Sequence, residues 1–276
     1  MMTMRIAVVT GASSGLGREF VRQIPRLYRN LDELWVVARR TQRLKELEGE
    51  VSIPLRIFDG DLQRDYIYER IERELSRHTP DIRMLVNGAG YGKVGDMAGT
   101  AWQEKEDRWE EKVQAERREQ LGQIDINCRA LTRMIQICLP YQGKGSRILN
   151  IASAAAFAPQ PGFAVYAAAK AYVYRLSLAL GEELKERRIS VTVLCPGPVD
   201  TEFFDRSGVL PGSLRKAAKA AAEDVVRQGL LDGVRRKSVS TYGVWMKAAR
   251  IGAKLVPGRL CAAFLKTINQ SGAKEE

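Results

Sequence analysis

The sequence predicts a doubly wound α/β fold, a seven-stranded and mainly parallel sheet with helices on both faces. Short runs that are apolar almost throughout alternate with helix-length segments from one end of the chain to the other. Strands that are apolar on both sides belong to parallel sheets that helices cover on both faces. A glycine-rich turn, TGASSGLG, follows the first run directly. Ligands of such sheets bind at the carboxyl ends of the strands, so we expect the functional site there.

The predicted strands are separated by helix-length segments. They cover residues 5–10, 33–38, 53–59, 84–87, 147–151, 190–195 and 238–242. Among the predicted helices are residues 17–31 and 165–187. Because no repeat or linker divides the chain, we expect residues 1–276 to form a single domain.

Two segments are additions to this plan. Residues 100–119 are dense in charges of both signs and carry apolar residues at helical intervals, which predicts a solvated extension of a helix that continues through Ile126. Residues 202–265 follow the sixth strand, where Ser213 is a candidate N-cap for a helix that runs to about Leu231. We expect a substrate lid and a basic, apolar tail within residues 202–270.

The composition is that of an ordinary soluble protein, with 45% hydrophobic and 28% charged residues. No run approaches the roughly 18 apolar residues that span a bilayer, and few residues precede the first strand, so we expect a cytoplasmic protein without a signal peptide. The single histidine, His78, lies in a polar segment, which argues against a histidine-based triad or metal centre. Four scattered cysteines predict buried, reduced thiols: Cys128, Cys138, Cys195 and Cys261.

The net charge of +11 is concentrated towards the end of the chain. Residues 233–274 contain no acidic residue but nine basic ones: Arg235, Arg236, Lys237, Lys247, Arg250, Lys254, Arg259, Lys266 and Lys274. No nucleic-acid motif accompanies them, so we favour a solvated face, with an anionic substrate or a lipid surface as alternatives. An interfacial membrane anchor is a rival interpretation, because the apolar residues of this tail accompany only positive charges: Trp245, Met246, Ile251, Leu255, Leu260 and Phe264.

The glycine-rich turn has the character of a phosphate cradle. Gly11, Gly15 and Gly17 stand between a predicted strand and the start of a helix. Glycine lets the backbone turn sharply and approach a pyrophosphate closely, and the N-terminus of the helix offers free N–H groups to its charge. In this position the motif predicts dinucleotide binding, and a purely structural turn is the alternative.

The end of the second strand indicates which dinucleotide is bound. An acidic residue there would bind the ribose of NAD, but the sequence reads VVARRTQRL and places Arg39 and Arg40 at this point. A guanidinium group suits a 2′-phosphate, so we predict NADP and rank Arg39 ahead of Arg40. The alternative is that both arginines are surface charges.

The segment YAAAK places Tyr166 and Lys170 four residues apart, on one face of a helix. Taken alone, this spacing has two explanations. Either the tyrosine packs against the core while the lysine reaches water, or a catalytic phenol has its acidity set by a neighbouring ammonium group.

An ordered set of motifs decides between these explanations. In chain order they are TGASSGLG at Thr10, NGAG at Asn87, Asn127 in IDINCRA, Ser153 in NIASAAA, YAAAK at Tyr166 and PGPVDT at Pro196. Their order and spacing resemble those of the short-chain dehydrogenases/reductases over about residues 5–203. The resemblance implies a Rossmann fold, an NADP-dependent oxidoreductase and a homodimer or homotetramer. Gly88 stands where that family commonly has a second asparagine.

Carbonyl chemistry also requires these residue types. Reduction of a ketone needs a hydride and a proton for the developing alkoxide, and without a usable histidine a tyrosine can supply the proton. Its ordinary pKa of roughly 10 would be lowered by the Lys170 ammonium and an oxidised nicotinamide. We therefore predict Tyr166 as the general acid/base and Ser153 as the residue that holds the substrate oxygen. By resemblance, Lys170 also holds the nicotinamide ribose, and the backbone of Asn127 holds a water.

Most of the cofactor contacts rest on the resemblance. It implies that Asp61 meets the adenine, that residues 87–90 line the cofactor and that residues after the sixth strand face the nicotinamide. The full predicted set is Thr10, Gly11, Ser13, Ser14, Gly15, Leu16, Gly17, Arg39, Arg40, Asp61, Leu62, Asn87, Gly88, Ala89, Gly90, Tyr166, Lys170, Pro196, Gly197, Val199 and Thr201. We predict no metal.

Apolar residues flank the predicted site, which favours a hydrophobic carbonyl compound: Ala154, Ala155, Phe157, Phe163, Phe203, Phe204, Val209 and Leu210. A 3-oxoacyl thioester, a steroid-like ketone and a xenobiotic carbonyl all fit. Arg206, Arg215 and Lys216 would suit an acyl carrier's phosphates, or solubility alone. The alternatives are a catalytically silent NADP-binding regulator, because fold does not fix function, and a lipid reductase bound to a membrane surface.

Overall fold

The computed structural model describes residues 3–95, 109–203, 207 and 220–272. Within these residues the strands form one seven-stranded parallel sheet with the order β3-β2-β1-β4-β5-β6-β7. The strands are β1 (Arg5–Thr10), β2 (Glu33–Ala38), β3 (Leu55–Asp59), β4 (Asp81–Asn87), β5 (Arg147–Ile151), β6 (Ser190–Leu194) and β7 (Val239–Ser240). The predicted doubly wound sheet is confirmed.

Helices fill the connections between the strands. They are α1 (Gly15–Leu27), α2 (Thr41–Glu46), α3 (Asp65–His78), α4 (Trp109–Ile124), α5 (Ala130–Cys138), α6 (Ala164–Glu183), α7 (Ala222–Val234), α8 (Val244–Leu255) and α9 (Gly258–Gly272). Short 3₁₀ turns cover Leu47–Gly49, Leu139–Tyr141 and Ala154–Phe157. No helix in the described parts of the chain is long and apolar enough to cross a bilayer.

The core lies in two layers, one on each face of the sheet. Alternate residues of β1 divide between them, because successive side chains of a strand point to opposite faces. Ile6 and Val8 pack in the layer that contains α3, α5 and α6. Ala7 and Val9 pack in the layer that contains α1 and α7. The sheet is therefore covered on both faces, as the apolar strands predict.

Strand β4 begins earlier than predicted. Asp81 and Arg83 are polar and hide the strand in the sequence, yet Asp81 pairs with Arg5 at the start of β1. The register between the two strands shifts between Ile6 and Ala7, so that Arg83 is one extra residue on β4. Strand β7 is shorter than predicted, and the limits of α1 and α6 differ from the prediction by a few residues at each end.

The described parts of the two additions are largely helical, and the second also contains β7. Residues 100–108 lie outside the described residues, and α4 occupies the rest of the charged segment. The helix continues through Ile126 as predicted, but a π-helical turn at Asp125–Arg129 joins α4 to α5. Ser213 also lies outside the described residues, whereas α7 begins at Ala222 and continues past Leu231 to Val234.

A buried chain of hydrogen bonds fixes α6 to the sheet. Asn87 Nδ2 donates to Asn150 Oδ1 across 2.9 Å. Asn150 Nδ2 donates to Ser177 Oγ across 2.9 Å, and this hydroxyl donates to the carbonyl of Val173 across 2.7 Å. The chain crosses from β4 through β5 to α6, so it sets the position of that helix relative to the ends of both strands.

Candidate active site

A cavity of about 380 Å³ lies at the carboxyl ends of the strands, within the range of small-molecule sites. Most of the predicted site residues line it: Gly11, Ser13, Ser14, Gly15, Leu16, Gly17, Arg39, Arg40, Asp61, Leu62, Gly88, Ala89, Gly90, Ser153, Tyr166, Lys170, Pro196, Gly197, Val199 and Thr201. Three predicted residues, Thr10, Asn87 and Asn127, are buried and do not line the cavity.

The backbone of the glycine turn is packed so closely that side chains at its glycines would be strained or would collide with neighbouring atoms. Gly11 and Gly15 have φ angles of +70° and +51°, in the left-handed region that glycine tolerates. A Cβ atom on Gly17 would lie 2.2 Å from the carbonyl oxygen of Gly11. The side chain of Ser14 does not cap α1, and the first turn of that helix contains no acidic residue. The uncapped N–H groups of this turn therefore suit an anion.

Thr10 ties this turn to the end of β4. Its Oγ1 accepts hydrogen bonds from the backbone N–H groups of Gly88 and Ala89, at 3.1 and 3.2 Å. A Cβ atom on Gly88 would lie 2.7 Å from the carbonyl oxygen of Thr10. The close backbone contact explains why glycine fits at this position, where the resembling family commonly has asparagine.

Two arginines converge on one carboxylate beside the cradle. Arg40 Nη1 donates to Glu202 across 3.0 Å, and Arg40 Nε donates to Ser13 Oγ across 3.2 Å. Arg43 pairs with the other oxygen of Glu202. The hydrogen bonds from these two guanidinium groups hold the pKa of Glu202 below its usual range. Arg39 is exposed at the cavity wall, so Arg40 rather than Arg39 carries these contacts.

Asp61 lies on the wall just after β3. Its Oδ1 accepts a hydrogen bond from the N–H of Gln63 across 3.0 Å, which closes a tight turn. Gln63 Nε2 in turn donates to the carbonyl of Gly122 on α4 across 3.1 Å. This end of the cavity is thereby joined to α4.

Tyr166, Lys170 and Ser153 come together from two elements. Ser153 follows β5 and caps the next 3₁₀ turn, where its Oγ accepts from the N–H of Ala155 across 3.2 Å. Tyr166 and Lys170 are buried on one face of α6, and Lys170 Nζ lies 5.6 Å from the centroid of the Tyr166 ring. The Nζ donates to the carbonyl of Ile151, the last residue of β5, across 2.9 Å.

Burial dominates the protonation of this group. It raises the pKa of Tyr166 well above the ordinary value, and the hydrogen bond with Ser153 opposes this shift. Burial also lowers the pKa of Lys170 to about 8. The lowering of the phenol pKa that we expected from Lys170 is not found, because burial disfavours the charged phenolate and is the largest influence on the pKa of Tyr166.

Aromatic side chains surround the phenol. Phe163 stacks on Tyr166 with ring centroids 4.3 Å apart, and the centroid of Phe203 lies 5.5 Å from it. Ala154, Ala155, Phe163 and Phe203 line the cavity as predicted. Phe157 does not, because it packs edge-on against Tyr174 in the core. The predicted residues Phe204, Arg206, Val209, Leu210, Arg215 and Lys216 lie outside the described residues.

Asn127 sits in the π-helical turn behind the cavity. Its Nδ2 donates to the carbonyls of Tyr91 and Gln123, at 2.7 and 2.9 Å. A Cβ atom on Gly90 would lie 2.4 Å from Asn127 Oδ1, so the asparagine packs directly against this backbone. Single π-helical turns are frequent at functional sites. The sequence identifies Asn127 by resemblance but gives no signal for the turn.

Several lining residues are absent from the sequence prediction. Tyr91 follows the NGAG motif, and burial raises its pKa to about 12. Glu202 and Met246 belong to the segments after β6. Met246 crosses over Gly197, where a Cβ atom would lie 2.7 Å from its Sδ. Proximity to the motifs could have indicated Tyr91 and Glu202, but nothing in the sequence marks Met246.

The described residues contain no cluster of His, Cys, Asp and Glu side chains that could hold a metal ion. The four cysteines are free thiols, but the prediction that all are buried is wrong for Cys128 and Cys261, which are half-buried. The cavity has the glycine cradle at one end and, at the other, half-buried Ser153 beside buried Tyr166 and Lys170.

Comparison with known proteins identifies the family. The short chain dehydrogenase family matches residues 5–208. Sulfoacetaldehyde reductase 2 of Chromohalobacter salexigens is 30% identical over 210 residues, which are 72% of this chain and 74% of that protein. The 3-oxoacyl-acyl-carrier-protein reductase of Homo sapiens is 28% identical over 200 residues, 72% of this chain and 77% of that protein.

A solved structure gives the same result. The short-chain dehydrogenase from Sphingobium yanoikuyae in complex with NADPH has a TM-score of 0.71 and 26% identity, and the match covers 91% of this chain and 94% of that one. The family match covers β1 to β6 and the glycine turn. The two relatives are named for different substrates. The chain belongs to the short chain dehydrogenase family of oxidoreductase enzymes.

Proposed function

We propose that this protein is an NADP(H)-dependent oxidoreductase that interconverts a hydrophobic ketone or aldehyde and its alcohol. The observation that carries the proposal is that half-buried Ser153 and buried Tyr166 and Lys170 line one cavity, whose other end is the glycine cradle. An acid, an orienting hydroxyl and a cation beside a dinucleotide cradle match what carbonyl reduction requires.

The residues present fit a nicotinamide dinucleotide. The turn at Gly11, Gly15 and Gly17 lines the cavity with closely packed backbone at the uncapped start of α1, where free N–H groups suit a pyrophosphate. Arg40 and Arg43 already share an anionic partner beside this turn, which supports a 2′-phosphate site and hence a preference for NADP. When bound, the cofactor supplies or accepts the hydride.

The chain's own residues handle the proton. Ser153 orients the substrate oxygen towards Tyr166, which donates its phenolic proton to that oxygen as an alkoxide develops. The raised pKa of Tyr166 keeps the phenol protonated until the alkoxide, a stronger base, develops. Lys170, with a pKa near 8, stays largely charged at neutral pH and stabilises the phenolate that remains.

The walls near the phenol favour an apolar substrate. Phe163, Phe203 and Met246 line this end of the cavity and offer no charge. A 3-oxoacyl thioester, a steroid-like ketone and a xenobiotic carbonyl compound are the classes that fit such walls. A single catalytic domain, a homodimer or homotetramer and a cytoplasmic location stay predictions.

The test is loss of NADPH absorbance with a panel of a 3-oxoacyl thioester, a steroid ketone and small aromatic carbonyls, with NADH for comparison. We expect Tyr166→Phe to lower turnover by at least about 100-fold, the usual contribution of a general acid, while NADPH binding stays within about twofold. Tyr172→Phe is the matched control, because Tyr172 is exposed on the same helix. Retained turnover in Tyr166→Phe would refute the acid role, and NADPH binding without turnover of any compound would favour the silent regulator.

A further inference from the structure

Helix α8 has two faces with different environments. Met246 on the inner face lies over Gly197 in the cavity wall. Val244, Ile251 and Leu255 stand at positions i, i+7 and i+11, which share the opposite side of a helix. All three are exposed, and Leu255 is 79% exposed. The outer face of α8 is therefore an apolar stripe, made of Val244, Ile251 and Leu255, that no described part of the chain covers.

Further exposed apolar residues lie at the start of α8 and on α9. Trp245 is 84% exposed at the start of α8. On α9, Leu260 and Phe264 stand four residues apart and are both exposed, whereas Cys261 and Leu265 are half-buried. A large aromatic side chain left in water is costly unless another surface receives it. Both C-terminal helices thus present apolar side chains outward.

Every charge on these two helices is positive. Lys247, Arg259 and Lys266 are exposed and Arg250 is half-buried, and residues 233–274 contain no acidic side chain. A symmetric contact with a second copy would press this basic patch against itself, which is unfavourable. An anionic lipid surface is the complementary partner, because it accepts apolar and basic groups together.

We propose that α8 and α9 dock this protein on an anionic lipid surface, through the stripe on α8 together with Trp245, Leu260 and Phe264. The proposal does not depend on the catalytic assignment. Because the inner face of α8 carries Met246 into the cavity wall, docking would bring the cavity next to the lipid. Basic residues at such a surface contribute about 1 kcal/mol each, or about fivefold in affinity.

The test uses the full chain and sedimentation with vesicles of phosphatidylcholine, with and without about one third phosphatidylglycerol. We expect binding only to the vesicles with phosphatidylglycerol, and its loss at high salt. Leu255→Asp and Leu260→Asp should each weaken binding by about tenfold or more, because each removes a leucine that would be buried in the lipid on docking. Leu121→Asp is the matched control, since Leu121 on α4 is 62% exposed and Leu260 is 61% exposed. Lys247→Glu should likewise weaken binding to these vesicles. Its matched control is Lys185→Glu, at an exposed lysine outside α8 and α9.

The unfolding midpoint of each variant separates loss of docking from loss of fold. No binding of the wild-type protein, equal binding to neutral vesicles, or equal losses in the Leu121 and Leu260 variants would overturn the proposal. A protein that binds no vesicle, but whose dimer in light scattering is broken by Leu255→Asp, would also overturn the proposal. The outer face of α8 would then bind a second copy of the chain.

Discussion

The glycine cradle and helix α8 form two walls of the same cavity, but they are built in different ways. The cradle is backbone: Gly17 and Gly11 pack so closely that no Cβ atom fits between them. Helix α8 reaches the cavity with Met246, and its outer face carries exposed apolar residues. The difference teaches that the cofactor end is specified by the absence of side chains, whereas the substrate end is specified by their identity. The glycine cradle should therefore tolerate almost no substitution, whereas the wall that α8 forms should tolerate many.

The largest effect should come from adding one methyl group to the cradle. Gly17→Ala places a Cβ atom 2.2 Å from the carbonyl oxygen of Gly11, so the turn must move. We expect a loss of about 3 kcal/mol or more in the free energy of unfolding and loss of NADPH binding. Urea denaturation and a binding titration measure both.

The same substitution in α8 provides the comparison. A Cβ atom on Gly252 would meet nothing within 4 Å. Gly252→Ala should therefore leave cofactor binding unchanged and add about 0.5–1 kcal/mol of stability through helix propensity. Equal effects of the two substitutions would remove the contrast between the two walls.

A smaller effect is expected from the side chain that α8 contributes. Met246→Ala removes the thioether that lies over Gly197 and so widens the substrate end. We expect the ratio of kcat/KM for a bulky and a small ketone to rise by about tenfold, while the affinity for NADPH is unchanged. Leu255→Ala on the outer face of the same helix is the control. An unaltered ratio would show that Met246 does not shape the substrate end.

The smallest effect concerns the ion pairs at the edge of the cradle. If a 2′-phosphate binds Arg40 and Arg43, it must displace the carboxylate of Glu202 that now occupies them. Glu202→Gln should therefore strengthen NADPH binding by about threefold to tenfold, since exposed ion pairs are worth about 0.2–1 kcal/mol each. The affinity for NADH should not change, because NADH has no 2′-phosphate.

Glu46→Gln supplies the matched control for this experiment. Glu46 lies on α2, as Arg43 does, but its carboxylate pairs with Arg18. Glu46→Gln should therefore leave the affinities for NADPH and NADH unchanged. A weaker affinity for NADPH in Glu202→Gln would mean that the carboxylate positions the arginines rather than competing with the phosphate.

The sequence predicts the parts of the fold that repeat or that follow a spacing rule. The buried strands, the glycine turn and the placement of Tyr166 and Lys170 on one helix all depend on neighbours in the chain. The contact between Arg43 and Glu202 joins residues far apart in the sequence. Met246 and Gly197 meet although α7 and β7 separate them in the chain. Such contacts depend on how the elements pack, so no local pattern shows them.

Two local features also escaped prediction. The π-helical turn around Asn127 continues the helical spacing on both sides, so periodicity does not reveal the extra residue. The raised pKa of Tyr166 follows from complete burial among Phe163, Phe203 and α6, which the spacing of Tyr166 and Lys170 cannot express. Charge proximity alone suggested the opposite shift.

The buried hydrogen-bond chain from Asn87 through Asn150 to Ser177 has a consequence for how this enzyme can diverge. Ser153 continues from β5 and Tyr166 belongs to α6, and both elements are fixed to each other by these amide and hydroxyl groups. This chain of hydrogen bonds thus fixes β5 and α6 to each other without help from the segments after β6, although Phe203 of those segments also contacts the Tyr166 ring. Apart from Phe203, we therefore expect substitutions in those segments to alter which carbonyl compound is accepted while the proposed arrangement of Ser153 and Tyr166 is kept.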